Sequence, residues 1–440
     1  MNPTTDTQDL KAALLDDYDR RAGAQAPTAL DDRRRAALDR FRTLPFPTLK
    51  DEEWKYTSLG QVLKTAYDLQ QGRAESALAR RDLAGQFDDP DADVLLFVNG
   101  HFEPRLSRIH SPGHELTILN LPEAIEKNEP AVMEHFGKIA DDEAEVFAAL
   151  NTAFATGGAF LHVRAGQAPQ RPVVLHFVAD ARRAHLLAQV RNLIVVERGA
   201  SLRVVENFTS LGEQTSFTNA VTEVYVAENA RCDYYKLQQD APTAHHVGTT
   251  HVQQRRDSHF DGMTVTTRGG VIRNNLNLTL DGENCEGHMY GLYLLNGRTH
   301  CDNHTYVDHK LPNSYSNELY KGVLDDRATG VFNGKIFVRQ DAQKTNAFQS
   351  NRNLLLSDRA TINTKPQLEI WADDVKCSHG ATTGQLDEEA LFYLRTRGLD
   401  AVQARALLLR AFAADVLDKA TYEPLRDYLH GWLDERLNTV

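Results

Sequence analysis

The sequence predicts a mainly β protein: a β-solenoid core flanked by α-helical N- and C-terminal regions. Three observations carry this. From about 160 to 385, short β-branched runs such as LIVVERGASLRVVE and VTEVYVAENARCDYYKL alternate with Gly, Asn and Asp, and long helical periods are absent. Within these runs a small turn pattern recurs, an aliphatic residue followed four positions later by Ala. It joins Val196 with Ala200, Val226 with Ala230, Leu324 with Ala328 and Leu356 with Ala360, with Leu280 and Asn284 as a weaker copy. The intervals are irregular, but they fit a coil of roughly 25–30 residues taken once or twice, as in repeats that bury their apolar faces only by stacking. Finally, both ends of the chain switch to helical spacing. A large β-sandwich is the rival architecture for the same strands.

Residues 1 to about 90 read as mainly helical. Leu30, Ala37, Leu38, Phe41 and Leu44 recur at helical spacing, and Pro45 and Pro47 stop that helix. Polar, acidic material at Gln86–Asp93 marks a boundary. Val94–Val98 then reads as a strand and Asn99-Gly100 as a tight turn. The strand-rich region spans 91–385, with the solenoid from about 160. Asn-rich stretches such as Arg273-Asn274-Asn275-Leu276-Asn277 suit stacked coils, because Asn side chains hydrogen-bond in ladders.

From 386 to 440 helix returns. Glu388–Arg397 is a short amphipathic piece ended by Gly398, and Asp400 caps a second helix bearing Val402, Leu409, Phe412, Val416 and Leu417. A third carries Leu425, Tyr428, Leu429, Trp432, Leu433 and Leu437. This wide aromatic stripe has two readings. It covers the open strand edges at the solenoid's end, or it docks a partner through Leu429, Trp432 and Leu433.

Composition excludes several classes. At roughly 150 residues per domain, 440 residues suggest two to four domains. Lys+Arg 49 against Asp+Glu 61 gives a net charge of −12, unsuited to a general nucleic-acid or anionic-membrane binder. Apolar runs such as Val94–Val98 fall far short of the ~20 residues of a membrane helix. The polar start MNPTTDTQDLKAALLDD lacks the basic flank and apolar core of a signal peptide. The cysteines, Cys232, Cys285, Cys301 and Cys377, form no CxxC pair, no disulfide scaffold and no zinc-finger pattern. A soluble, cytoplasmic protein with reduced thiols is expected.

Two constellations bear chemistry. In Lys376-Cys377-Ser378-His379-Gly380, a thiol and an imidazole two residues apart share one side of a strand, and both ligate transition metals. A small buried Cys beside a hydrogen-bonded His is the structural alternative. A Cys-His nucleophile is disfavoured, since no Gly-rich oxyanion turn is recognisable. The second constellation is a run of histidines: His245, His246, His251, His259, His288, His300, His304 and His309. Strand alternation would set Cys301 opposite both His300 and His304, which argues against one closed tetrahedral site. Neither GxxxxGK[ST] nor a helix-opening GxGxxG occurs, so any ATP turnover this protein serves must come from another chain.

Two segments resemble a known family. Asp51-Glu52-Glu53-Trp54-Lys55-Tyr56-Thr57 looks like the N-terminal signature of the SufB/SufD family of iron–sulfur cluster assembly proteins. The stretch GKIFVRQDAQKTNAFQSNRNLLLSDRATINTKPQLEIWADDVKCSHGATTGQLDEEALFYLRTRGL, Gly334 to Leu399, resembles that family nearly throughout. The Cys377-Ser378-His379-Gly380 form is the SufD type; SufB-type chains carry His-Glu-Ala-Thr-Thr there. The match is close from roughly 190 to 440 and loose before that, the EEWKYT motif apart.

The resemblance implies a right-handed parallel β-helix with helical N- and C-terminal regions. It implies pairing with a SufB-type subunit through the β-helix cores, homodimers when the chain is alone, and a SufC-type ABC ATPase bound at the C-terminal helices. The complex would build nascent Fe–S clusters and pass them on, and the chain itself is no enzyme. The implied ligand is His379, with Cys377 beside it, the remaining ligands coming from SufB. With four dispersed cysteines, the lone chain should hold no stable cluster. The sequence leaves open the cluster type, the sulfur donor and a flavin in the complex. Two alternatives stand: a purely structural partner of SufB, and a carbohydrate-active β-helix enzyme, for which Asp373-Asp374 is the best carboxylate pair.

Overall fold

The computed structural model describes residues 8–21, 28–69, 78–140 and 143–437. Two helices come first, α1 (Gln8–Arg21) and α2 (Asp31–Thr43). α2 begins on Asp31 and Asp32 and ends on Arg40 and Arg42, charges that complement its dipole, and it buries Ala37, Leu38 and Phe41. Leu44 is extended, as a residue before proline must be. β1 (Asp93–Val98) turns through Asn99 (φ 54°) and Gly100 (φ 85°) into β2 (His101–Phe102), the two left-handed residues of a tight hairpin.

β3 (Leu116–Asn120) precedes three short helices, α3 (Leu121–Glu126), α4 (Pro130–His135) and α5 (Val146–Phe154), and β4 (Ala159–Val163) follows. The region expected to be rich in strands from 91 onward thus holds helices between 121 and 154. Their starts are written locally. Asn120 accepts the Glu123 N–H at 3.1 Å, Glu145 accepts the Ala148 N–H at 2.7 Å, and Pro130 opens α4.

The core follows in strands of similar length. They are β5 (Val173–Asp180), β6 (Leu186–Val196), β7 (Ser201–Leu211), β8 (Ser216–Val226), β9 (Arg231–Gln239), β10 (Ala244–Gln254), β11 (His259–Arg268) and β12 (Val271–Leu280). Then come β13 (Glu286–Leu295), β14 (His300–His309), β15 (Tyr315–Leu324), β16 (Thr329–Val338), β17 (Thr345–Leu355), β18 (Thr361–Ile370) and β19 (Val375–Gly384). Odd strands form one sheet, ordered β19 to β5 and then β1 and β2; even strands form the other, ordered β18 to β4 and then β3. Among the described strands only β1–β2 and β3–β4 pair antiparallel. The two sheets face each other, as they would in the rival sandwich. Strict alternation of the chain between them, with parallel pairing, makes the architecture a solenoid of eight two-stranded coils. Coil length is elastic: His246 pairs with Ile272, 26 residues on, and Phe160 with Leu193, 33 residues on.

The recurring turn is the corner between successive strands. Ala200, Ala230, Ala328 and Ala360 each donate a backbone N–H to the carbonyl three residues back, at 3.0–3.1 Å. After β6, β8, β10 and β12 the residue before the small one is left-handed: Gly199, Asn229, Asp257 and Asn284, at φ 67°, 56°, 58° and 56°. The small residue itself points inward and is buried: Ala200, Ala230, Ser258 and Cys285. The copy read as Leu280 with Asn284 is corrected here. That corner is one residue longer, so Asn284 takes the left-handed place and Cys285 the place of alanine. Inside the coils polar ladders do form. Asn274 donates to Asn303 at 3.2 Å, its register partner, and to Gln238 at 2.9 Å.

Three helices close the chain, α6 (Glu388–Thr396), α7 (Ala401–Leu417) and α8 (Glu423–Leu437). α7 starts in a capping box of Asp400 and Gln403. α7 and α8 lie on the outer face of the odd sheet. There Leu409, Leu417, Leu425, Leu429 and Leu433 share one buried cluster with Leu237, Met263, Val265, Leu292, Leu294 and Val323. The aromatic stripe therefore does not cover the solenoid's end. Nor are Leu429 and Leu433 partner anchors, being 1% and 0% exposed; only Trp432 is half-exposed. The outward side chains of these odd strands are apolar and need cover, which the stripe supplies.

Candidate functional site at the open end of the solenoid

The last coil, β18 and β19, is left bare. Among the described strands, β19 pairs with β17 on one side and with none on the other, and β18 likewise pairs only with β16. From Ser378 to Gly384 every residue of β19 is exposed. Ile370 and Trp371, at the end of β18, are 39% and 63% exposed. A strand edge of ten residues presents a row of unpaired N–H and C=O groups, a template for a further strand.

Alternation sets what this edge displays. Cys377 packs against the interior cluster of the solenoid, so His379, two residues on, points to the same inward side. None of the described residues covers the inside of the terminal coil, which is why an inward His379 is exposed. The structure thus brings Cys377 and His379 together at the solenoid's mouth. Burial pushes the Cys377 thiol up, partly offset by a backbone hydrogen bond from Ala347, so the thiol keeps its proton more firmly than a free cysteine. The other thiols are sealed: burial raises Cys285 to about 11, Cys301 to about 12 and Cys232 further still. Asp373 and Asp374 sit in the corner between β18 and β19, where Asp374 makes backbone contacts to Lys344 and to the Gln343 side chain. They do not face each other across a cleft, as glycoside hydrolysis requires.

The histidine run is dispersed over both faces of β10–β14. His246 is inside, His245 accepts the Val271 N–H at 3.0 Å, and His309 meets Ser316 at 2.9 Å. His259 and His288 flank Glu286 at 3.1 and 2.9 Å, and His251 lies 3.3 Å from Asn277. Among the described residues no group of three or more His, Cys, Asp or Glu side chains could hold a metal ion.

His300 and His304 face outward, opposite to Cys301, and meet the EEWKYT segment. Thr57 Oγ1 lies 2.8 Å from His300 Nε2 and donates to Asp302; Glu53 Oε2 lies 3.4 Å from His304 Nδ1 and accepts from Asn333 at 2.9 Å. Arg273 donates to the Glu53 carbonyl and to Asp302, both at 2.7 Å, and stacks on Trp54 with its guanidinium 4.4 Å from the ring centre. Arg273 and His304 together hold the Asp302 carboxyl well below the usual carboxylate range. The motif is a clip fastening the N-terminal segment to β12, β14 and β16. Arg273 and Asp302 were not singled out for this contact, which spans 243 residues between Thr57 and His300.

Fold and site define a parallel β-solenoid with helical appendages and one open end that carries Cys377 and His379. The family description "SUF system FeS cluster assembly, SufBD core domain" matches residues 177–412, and "SufBD protein N-terminal region" matches 9–175. The chain belongs to this SufB/SufD family. It is 35% identical over 410 residues to a SufBD family iron–sulfur cluster assembly protein of Synechocystis, covering 91% of this chain and 89% of that one. It is 33% identical over 398 residues to the iron–sulfur cluster assembly protein SufD of Escherichia coli K12, covering 89% of each. It is 26% identical over 431 residues to SufD of Bacillus subtilis, covering 94% and 95%. It is a SufD-type member. The two matched regions meet inside β5, so they share one sheet. Among the described residues no helix is long and apolar enough to cross a membrane.

Proposed function

We propose that this chain is a non-ATPase scaffold subunit of SUF iron–sulfur cluster assembly. It pairs with a SufB-type subunit, or with a second copy when alone, through the open end of its solenoid. The observation that carries this is the bare last coil with His379 at its mouth. A strand edge that pairs with another chain puts His379 into the shared interface, where a nascent cluster would take it as one ligand and take the others from the partner. Neutral imidazole is available as a ligand near pH 7, whereas the Cys377 thiol must first lose a firmly held proton. His379 is therefore the primary ligand and Cys377 the secondary one. Such a half site binds a cluster only while the subunits are together, which suits a cargo that must leave.

The SufC-type ATPase docks on exposed apolar residues of the C-terminal helices. α6 buries none of its residues. Phe392 and Tyr393 are 69% and 56% exposed, and Val402 and Leu407 on α7 are also exposed. These replace Leu429 and Leu433 as anchors.

The test is complementation in cells that depend on this pathway, alongside co-purification of both partners. His379→Ala should leave the complex intact and abolish cluster assembly, and Cys377→Ala should do less. Full complementation by His379→Ala in an intact complex would make the chain a purely structural partner. Phe392→Asp with Tyr393→Asp should release the ATPase alone.

A further inference from the structure

Behind His379 stands a column of inward side chains in strict register. His379 on β19 pairs with Gln349 on β17, and Gln349 pairs with Glu318 on β15. Both inner residues are buried, at 3% and 0% exposure. Glu318 accepts a hydrogen bond from Thr305, and Gln349 Nε2 donates to Glu318 Oε1 at 3.2 Å. That bond fixes the amide's orientation, because a carboxyl oxygen at this position accepts and the amide nitrogen alone can donate. Burial pushes the Glu318 carboxyl up to about 7. Both Glu318 oxygens act as acceptors, Oε2 from Thr305 and Oε1 from Gln349.

The fixed amide leaves Gln349 Oε1 buried and without a donor. A buried carbonyl in that state costs about 1–3 kcal/mol, so its partner is worth finding. Gly334 on the facing strand β16 makes room for the amide: a Cβ there would lie 2.3 Å from Gln349 Nε2. The inward donors of the last coil include the Cys377 thiol, which pairs with Ala347 two residues from Gln349, as well as Thr364 and His379. Thr364 Oγ1 on β18 is also buried and unpartnered. However, Thr364 pairs with Phe332, two residues along the strand from Gly334, an offset of roughly 6.6 Å. His379 is in register with Gln349, on the neighbouring strand roughly 4.8 Å away, and on the same face.

We propose that Gln349 is a positioning residue for His379: its side-chain carbonyl accepts one imidazole N–H and so leaves the other ring nitrogen, unprotonated, to face the cluster. Glu318 and Thr305 act one step further back by orienting the amide. This rests on the reading of His379 as a ligand for its purpose, but not for its geometry. Outer partners that fix a histidine's tautomer typically change metal affinity by about 10–100-fold when removed.

The experiment uses the full chain with ¹⁵N-labelled histidine, at a pH where the imidazole is neutral. The His379 signals are assigned by their loss in His379→Ala, and ring-nitrogen shifts report the tautomer. The wild-type chain should show one dominant tautomer. Gln349→Met, similar in size but without an acceptor, should give a mixture. Gly334→Ala, which displaces the amide without altering either residue, should do the same if Gln349→Met fails to fold. Gln349→Glu keeps an acceptor and should keep one form. A mixture in the wild-type chain, or an unchanged tautomer in Gly334→Ala and Gln349→Met, overturns the proposal. The readout involves no cluster, so the two readings fail separately. If His379→Ala complements fully while Gln349→Met still scrambles the tautomer, the ligand reading fails and the positioning stands.

Discussion

The two ends of the solenoid solve opposite problems. At the N-terminal end the first coils are closed by the β1–β2 hairpin, by β3 running antiparallel to β4, and by α3, α4 and α5. Charge is buried there at full strength. Arg191 and Glu223 lie 2.6 Å apart with both side chains 0% exposed, and Glu223 also accepts the backbone N–H groups of Gly137, Ile139 and Ala140. At the other end the strands simply stop, with hydrogen-bonding edges, Trp371 and His379 in solvent. A repeat protein needs a cap at each end to stand alone. A described chain capped at one end and bare at the other has the form that the proposed pairing requires.

The contrast can be broken most violently at the closed end. Glu223→Ala strands the Arg191 guanidinium in the interior, and should cost about 3–5 kcal/mol in denaturant melts. The same substitution logic at the open end should be nearly silent: His379→Ala should shift stability by no more than about 0.5 kcal/mol while cluster assembly collapses. A comparable loss of stability at both ends would erase the distinction.

The outer face comes next. Leu429→Ala and Leu433→Ala should each cost about 2–5 kcal/mol, because each leaves a cavity between α8 and the sheet. A small loss, or a specific loss of ATPase binding in a fully stable chain, would restore the docking role to that stripe.

Between the ends lies Glu318. Its carboxyl stands at about 7 when folded against an ordinary value of 4.5. Between those values the folded chain keeps a proton the unfolded chain has lost. Stability should therefore fall as pH rises from about 4.5 to 7, by at most about 3 kcal/mol, and then level off. Glu318→Gln should flatten that part of the pH profile. An unchanged slope in urea titrations across this window would mean that Glu318 ionises freely.

How much of this was written in the sequence varies by region. The solenoid was readable because its corners constrain composition: a small inward residue such as Ala200, and at five of them, Asn313-Ser314 included, a left-handed Gly, Asn or Asp before it. The inward and outward faces of His300-Cys301-Asp302-Asn303-His304 followed from alternation alone. The helices α3 and α4, six residues each, are too short for periodicity to register, and their start signals at Asn120 and Pro130 were not read. Leu429 and Leu433 were misassigned because an apolar stripe states only that it will be covered. A sheet face, a solenoid end and a partner all satisfy it. The clip from Glu53, Trp54 and Thr57 to Arg273 and Asp302 is a distant contact with no local signature. Cys377 and His379 drew attention by residue type; the Gln349 behind them is visible only once the register is known.

The corners and inward faces have a consequence for thiol chemistry. Cys285 takes an alanine's place at a corner, while Cys232 and Cys301 line the interior. All three serve as wall material, inaccessible to peroxide, to alkylating reagents and to stray iron. In the folded monomer only Cys377 is partly open to solvent. A native chain should therefore consume one equivalent of a thiol reagent promptly and the other three only as it unfolds. Pairing at the bare end would close off that one as well, leaving this chain without an accessible thiol.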